Sequence, residues 1–438
     1  IIYLQHNNSM IQLFQYQKEG VEVLVKNKEI LLADEQGLGK TCQVITSINE
    51  VRAFPVLVVC PNSLKFNWKN EVQKFGDGTY EATVIKANTD WKEVDPNGFY
   101  CVNYESLFKH KETLDSVAWG TLVVDESHRL RKKYSRMAKQ IFGEWSKEQY
   151  KWILKKIVAE RKIFISATPV AKCVYDLYPT LSYLDKDRFG YNTFLKYFYK
   201  DRFGSKKSTD KHIQDFGKLL KSSGIMLRRR KCDVLDLPEK LYSDIVLDID
   251  DLKASEREAV LQEIEIVSKM ETTEIDITTM SALRRLTGLA KVSSVASIAS
   301  DVIDSEGYVV IGAVHRDVIT GISEALRKEK YTTGIIDGSC SDVEKQRIVD
   351  QFQRGEIQAL VCNIQSAGVG ITLTKASNLI FAERMWNEID NEQFEDRIHR
   401  IGQGMTCNYT SIFFQGTMDW FVNRSNQNKK GLANIYNK

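Results

Sequence analysis

The sequence predicts an α/β protein in two halves, each built on a mostly parallel sheet flanked by helices. Three observations predict it. Apolar runs such as Val56-Leu57-Val58-Val59-Cys60 and Thr121-Leu122-Val123-Val124 are continuous rather than alternating, the pattern of strands buried on both faces. Longer stretches at helical spacing separate them. The pattern pauses near Leu237-Pro238-Glu239-Lys240, a turn-forming boundary, and then starts again.

Length and composition bound the answer. A chain of 438 residues suggests two or three domains with ample core. Its net charge is only +3, so bulk charge does not point to nucleic acid, and a DNA partner would need a local basic groove. No run of 18 apolar residues occurs, so a membrane span is not expected. The N-terminal stretch has no basic-then-apolar leader pattern. The eight cysteines form no Cys-x-x-Cys pair. They read as reduced thiols of an intracellular protein without structural zinc, cytoplasmic (bacterial or viral-host) rather than nuclear, with a disulfide as the minor alternative.

The first element of interest is Leu13 to Val21, helical in pattern. Gln17 has an amide able to pair with an adenine edge; the alternative is a solvated glutamine. Leu32-Ala33-Asp34-Glu35-Gln36-Gly37-Leu38-Gly39-Lys40-Thr41-Cys42 then reads as strand, glycine turn and helix start. Gly37 and Gly39 let backbone N–H groups approach phosphates, Lys40 suits the β/γ-phosphates and Thr41 a Mg²⁺ ion. Asp34 stands where the usual pattern has glycine, so an ordinary strand-turn-helix corner remains open on local grounds.

The Val56–Cys60 strand is followed by Pro61, Asn62, Ser63, Lys65 and Trp68, either a phosphate-binding helix start or a simple cap. Another short strand, Phe99 to Val102, ends in Asn103 and Tyr104. Asp125-Glu126-Ser127-His128 closes the Thr121–Val124 strand at its carboxyl end, where ligands bind in open α/β sheets. There Asp125 suits a water-bridged Mg²⁺ and Glu126 an attacking water. Residues 132–161 read as a helical insertion, and Ile163-Phe164-Ile165 restores the strand pattern before Ser166-Ala167-Thr168-Pro169. Residues 171–230 read as a helical outgrowth whose aromatics pack a core, with a nucleic-acid stacking platform as the minority reading. Met226-Leu227-Arg228-Arg229-Arg230-Lys231 is the densest basic run: a solvated face, a phosphate contact or a linker clamp.

The second half opens with a charged helical stretch near 251–300. Strands follow at Tyr308–Val314, Ile335-Ile336 before Asp337-Gly338, Ala359–Cys362 and Asn378–Phe381. Ser366-Ala367-Gly368-Val369-Gly370-Ile371-Thr372-Leu373-Thr374 is either a phosphate-approaching loop or a turn using glycine for its backbone freedom. In Gln393-Phe394-Glu395-Asp396-Arg397-Ile398-His399-Arg400, the two arginines are spaced to share a helix face. They would stabilise charge on a transferring phosphoryl group, or lie on a surface helix with local pairs such as Asp396 with Arg400. The residues beyond Trp420 are expected to pack as a tail.

Taken in order, Gln17, Gly39-Lys40-Thr41, Asp125-Glu126-Ser127-His128, Ser166-Ala167-Thr168 and Gln393-x-x-x-Arg397-x-x-Arg400 resemble the superfamily 2 helicases and translocases. Asp34–Thr41, Ile336-Asp337-Gly338-Ser339, Ala367–Thr374 and Glu395–Gln403 resemble the Swi/Snf-type branch, where Asp34 is no anomaly. The resemblance runs from Leu13 to about Gln403.

This resemblance implies two RecA-like domains, 1–235 and 236–438, with small helical insertions and ATP in the cleft between them. It implies phosphate and Mg²⁺ binding by Gly37, Gly39, Lys40, Thr41 and Asp125, with Gln17 and Gln393 also at the nucleotide. Glu126 would activate water, and Arg397 and Arg400 would act as arginine fingers. Pro61, Asn62, Ser63, Lys65, Trp68, Asn103, Tyr104, Asp337, Gly338, Ser366, Gly368 and Thr372 would meet DNA, mostly through phosphates. Family members usually have Thr-Gly-Thr-Pro or Ser-Gly-Thr-Pro where this chain has Ser166-Ala167-Thr168-Pro169, and the remaining length holds no chromatin-reading module. The chain looks like a minimal motor, and Leu283–Lys291 looks like the branch that anneals or regresses forks. The expected function is an ATP-driven translocase on duplex, forked or branched DNA. An RNA-directed helicase, a restriction-type motor subunit and a scaffold with a decayed ATPase are the alternatives.

Overall fold

The computed structural model describes residues 4–6, 9–11, 13–146, 151–170, 173–201, 204–268, 277–368 and 370–424. The chain divides after Val234 into two compact units.

The first unit is organised on a seven-stranded sheet: β1 (Glu29–Leu32), β2 (Val56–Cys60), β3 (Ala82–Ile85), β4 (Phe99–Asn103), β5 (Trp119–Val124), β6 (Ala159–Ile165) and β7 (Met226–Leu227). Their order is β7-β1-β6-β5-β2-β4-β3, and every neighbouring pair is parallel. Every residue of β2, β4 and β5 is buried, which is why their sequences lack alternation. The order has a functional consequence. The carboxyl ends of β7, β1, β6 and β5 lie side by side, so four segments far apart in sequence emerge together.

One hydrophobic cluster runs from the sheet (Val59, Leu122, Phe164) into the outgrowth (Phe189, Phe194, Phe216). The outgrowth aromatics are indeed mostly core packing. Each fully buried ring contributes about 1.5–3 kcal/mol, so the outgrowth is anchored rather than tethered. Residues 132–161 are not a helical insertion throughout. Among the described residues of this stretch only Arg136–Phe142 is helical; Gly143, at φ 77°, ends it, and Glu144–Ser146 pairs antiparallel with Lys151–Leu154. Trp145, Trp152 and Ile153 are strand-formers, and their propensity prevails over the apparent helical spacing.

The second unit holds a six-stranded, wholly parallel sheet: β8 (Lys240–Leu247), β9 (Val309–Ala313), β10 (Thr333–Ile336), β11 (Ala359–Asn363), β12 (Asn378–Phe381) and β13 (Cys407–Phe414). The order is β8-β13-β12-β9-β11-β10. β8 and β13 went unread in the sequence; β8 is an edge strand whose Leu241, Tyr242 and Val246 stay exposed, so it lacks a buried run. The charged stretch forms the helices Ala254–Ser268, Ile277–Ala290 and Val292–Glu306. Most of the expected tail lies outside the described residues. Among the described residues no single helix is long and apolar enough to cross a membrane.

Candidate nucleotide site and nucleic-acid interface

The glycine turn joins β1 to the helix Lys40–Val51. Gly37 and Gly39 have φ of 84° and 69°, backbone that favours glycine. At Gly39 a Cβ would also lie 2.4 Å from the Gln17 amide nitrogen. Gln17 is buried; its amide donates to the Leu38 carbonyl at 3.4 Å and its oxygen accepts from the Phe14 N–H at 3.0 Å. The structure therefore brings Gln17 against the turn, as a nucleotide-reading role requires. Lys40 folds its ammonium over the turn and donates to the carbonyls of Asp34 (2.9 Å) and Glu35 (3.1 Å). Burial holds this ammonium below the usual lysine range, opposed by Glu126, Asp34 and Asp125. Thr41 lies half-buried in the first turn of the helix, the end whose backbone dipole suits an anion.

Asp125 and Glu126 follow β5, two strands from β1. The Asp125 carboxylate accepts from the Trp68 indole (2.9 Å) and from the Glu126 N–H (2.9 Å). Burial, then the charge of Glu126, raises its pKa to about 6. Each oxygen retains acceptor capacity for a water-bridged cation. Glu126 has φ 52°, a left-handed conformation that costs a non-glycine residue about 1–3 kcal/mol. In this conformation its carboxylate lies beside His128, whose Nδ1 lies 3.2 Å from Glu126 Oε2 and 3.2 Å from Ser166 Oγ. Ser166 follows β6, so His128, in close contact with Glu126 and hydrogen-bonded to Ser166, stands between the acidic pair and the Ser-Ala-Thr segment. Ser166 Oγ in turn accepts from the Thr168 N–H at 3.2 Å.

The basic run after β7 proves to be a clamp. Arg229 is ion-paired in fork geometry with the fully buried Asp34, with Nε donating at 3.1 Å. It also donates to Gln43 Oε1 (2.6 Å) and to the Tyr16 carbonyl. Arg228 donates to the carbonyls of Ala33 (2.9 Å) and Ala167 (3.1 Å), and the Lys231 N–H to Glu35 (2.8 Å). The sequence named this run but not its partner; the signal was Asp34, a carboxylate where the usual loop has glycine.

In the second unit the helix Glu388–Glu395 stops before the arginines, which lie in the turns that follow it. Arg397 is buried and donates to Gln393 O (3.0 Å), Gly368 O (2.7 Å) and Ile371 O (3.2 Å). The half-buried Arg400 shares the Ile371 carbonyl at 3.1 Å. The two side chains do converge, on the glycine loop. Asp396 pairs with Lys240 at 2.9 Å. Gln393 is itself buried.

Several expected DNA contacts need correction. Lys65 is buried and donates to Asn103 Oδ1 (3.1 Å) and Ile85 O (3.4 Å). Trp68 is fully buried, and Tyr104 donates its hydroxyl to the Asp125 carbonyl at 2.6 Å. Asn103 accepts from Lys65 and Ser106, and Pro61 and Gly368 are buried too. The reason is topological: β2 and β4 are interior strands, and the chain leaving them turns into the core beneath Asp125. Asp337 carries no free surface charge, because its carboxylate accepts from Ser339 and pairs with Arg316 at 3.0 Å; those hydrogen bonds hold it below the usual range. Asn62, Ser63 and Gly338 are exposed, and Ser366 and Thr372 half-buried.

A glycine turn with its lysine, an acidic pair on a nearby strand end and a second parallel-sheet unit define a P-loop nucleotide-binding protein of two α/β units. The comparisons then make the class particular: residues 16–294 match the SNF2-related domain and residues 296–402 the helicase conserved C-terminal domain. The chain belongs to the SNF2-related family. The Homo sapiens "DNA annealing helicase and endonuclease ZRANB3" is 29% identical, with 93% of this chain and 39% of that protein covered. The Caenorhabditis elegans homologue of the "SWI/SNF-related matrix-associated actin-dependent regulator of chromatin subfamily A-like protein 1" is 30% identical, with 90% and 57% covered. The solved "Sulfolobus solfataricus SWI2/SNF2 ATPase core in complex with dsDNA" is 21% identical with a TM-score of 0.47, covering 99% of this chain and 94% of that one. The chain thus spans well under two thirds of the length of these two curated relatives.

Proposed function

We propose that the chain is an ATP-driven DNA translocase that remodels forked or branched DNA. The observation that carries this is the meeting of Lys40 and the Asp125-Glu126 pair at nearby strand ends of a chain matched to this family in both halves. The names of the similar proteins, a DNA annealing helicase among them, support forked DNA as the substrate class.

Lys40 and the N–H groups after Gly39 bind the triphosphate, and Gln17 orients the base. Mg²⁺ takes few protein ligands beside water and phosphate oxygens, and the buried Asp125 carboxylate, with acceptor capacity left beside its bonds to Trp68 and the Glu126 N–H, is a donor of the kind it takes. Thr41 and Asp125 would hold it, and it would neutralise phosphate charge. Glu126 accepts the proton of the attacking water, with His128 keeping its carboxylate in place. Arg397 and Arg400 are assigned to the charge developing on the γ-phosphate. Asn62, Ser63, Gly338, Ser366 and Thr372 are the DNA-facing candidates. The same reading puts the protein in the cytoplasm, where its eight free thiols stay reduced.

The test is ATPase rate without nucleic acid and with single strand, duplex, fork, four-way junction and RNA. Forked and four-way DNA should stimulate most, and Lys40→Ala should abolish turnover under every condition. Equal stimulation by plain duplex would reduce the reading to a general translocase. Stimulation by RNA alone, or by no nucleic acid, would overturn it.

A further inference from the structure

From Arg129 to Gly143 the chain carries six cations, Arg129, Arg131, Lys132, Lys133, Arg136 and Lys139, and no acid. This stretch begins three residues after Glu126. Arg129 and Lys139 are matched by Glu105 (3.8 Å) and Glu144 (2.7 Å). Two others lie on aromatic rings: Arg136 stands 3.9 Å from the centre of the Phe108 ring, and the Lys133 ammonium 4.8 Å from that of Tyr178. Lys133 also donates to the Tyr178 hydroxyl at 3.2 Å, which seats the basic segment on the aromatic outgrowth.

There the tyrosines form one cluster. Tyr175 stacks on Tyr178 at 5.0 Å, Tyr191 stands edge-on to Tyr178 at 5.7 Å, and Lys206 lies 3.1 Å from the Tyr175 ring centre, with Asp176 as its acidic neighbour. Tyr134 directly follows Lys133, whose ammonium is seated on Tyr178, and so is tied to the cluster's edge. Tyr175 and Tyr178 are spent on one another and on the lysines. Tyr134 and Tyr191 keep open ring surface: they are 79% and 45% exposed, although Tyr191 offers Tyr175 and Tyr178 an edge-on contact.

We propose that Tyr134 and Tyr191, flanked by Arg131, Lys132 and Lys133, form a binding surface for unpaired, single-stranded DNA. The inference rests on the reading of the chain as a DNA motor and adds a second contact to it. Cations track a phosphate backbone of any kind, but exposed rings discriminate. Bases in a duplex stack on one another, whereas an unpaired base offers its face. A tyrosine ring has only two side-chain torsions to immobilise, so stacking orders little. Placed just after the hydrolysis motif, the surface would hold the strand freed at a fork.

The test is equilibrium binding of nucleotide-free protein to a labelled oligothymidylate and to a duplex of equal length. In the Tyr134→Ala/Tyr191→Ala variant, single-strand affinity should fall by on the order of 10- to 100-fold, with duplex affinity and duplex-stimulated ATPase unchanged. The Tyr134→Phe/Tyr191→Phe variant should bind as the parent does, since the ring and not the hydroxyl is used. Equal losses on both ligands, or an unchanged single-strand affinity, would overturn the proposal. A parent protein that binds duplex but not the single strand would overturn it while leaving the motor reading intact; binding of neither would remove both.

Discussion

Asp34 shows how a single residue can look anomalous in sequence and be necessary in three dimensions. It stands at the start of the glycine turn after β1, fully buried, and its counter-charge Arg229 lies 195 residues away. No local pattern could pair them. Removing one partner of a buried ion pair leaves the other charge without compensation and costs about 3–5 kcal/mol. Arg229→Met and Asp34→Ala should therefore each destabilise the protein by that order in urea unfolding. The double variant should cost clearly less than the two losses added, and strict additivity would show that the pair is not coupled. Lys65 and Trp68 teach the converse. Polar and basic residues at a helix start were legible as a helix start, but not the direction they face. Lys65 turns inward to Asn103, and Trp68 supports the Asp125 carboxylate.

At the scale of elements, the helix Ala254–Ser268 packs a carboxylate where the sequence suggested only a charged surface. Glu263 is buried, accepting from the Met418 N–H (2.8 Å) and the Thr287 hydroxyl. Burial, with Asp419 adding to it, pushes its pKa up to about 7 from an ordinary 4.5. The folded state thus keeps a proton that the unfolded chain releases. The associated stability is fully present below about pH 4.5 and is lost as pH rises through about 7. The difference amounts to about 3 kcal/mol. Glu263→Gln, which mimics the protonated side chain, should match the parent near pH 4.5 and exceed it at pH 8 by that order, read as urea midpoints across pH. A parallel pH dependence in the two proteins would refute this. Continuous apolar strands such as β2, β5 and β9 were readable because burial on both faces demands one kind of residue. The hairpin after Gly143 and the edge strand β8 were not, since a short or half-exposed strand imposes no such demand.

For the whole molecule, the motor reading requires that nucleotide in the first unit be felt where DNA binds. Glu126→Gln should retain ATP binding while kcat falls by about 100-fold or more. With hydrolysis blocked, duplex affinity measured by anisotropy should depend on whether ATP is present. An affinity indifferent to ATP would show that binding and hydrolysis are not coupled. The sequence by itself determined the α/β class, the two-part organisation and the phosphate loop with its acidic pair. Each of these is written locally, in runs of a few residues whose chemistry is the same in any surroundings. Tertiary structure alone decided that Arg229 clamps Asp34, that Trp68 and Tyr104 support Asp125 from within, and that Arg397 braces the glycine loop. The first-unit order β7-β1-β6-β5-β2-β4 decided the first two by laying the ends of distant strands together, and the packing of the second unit decided the third; contacts between segments so far apart in the chain leave no periodicity to read.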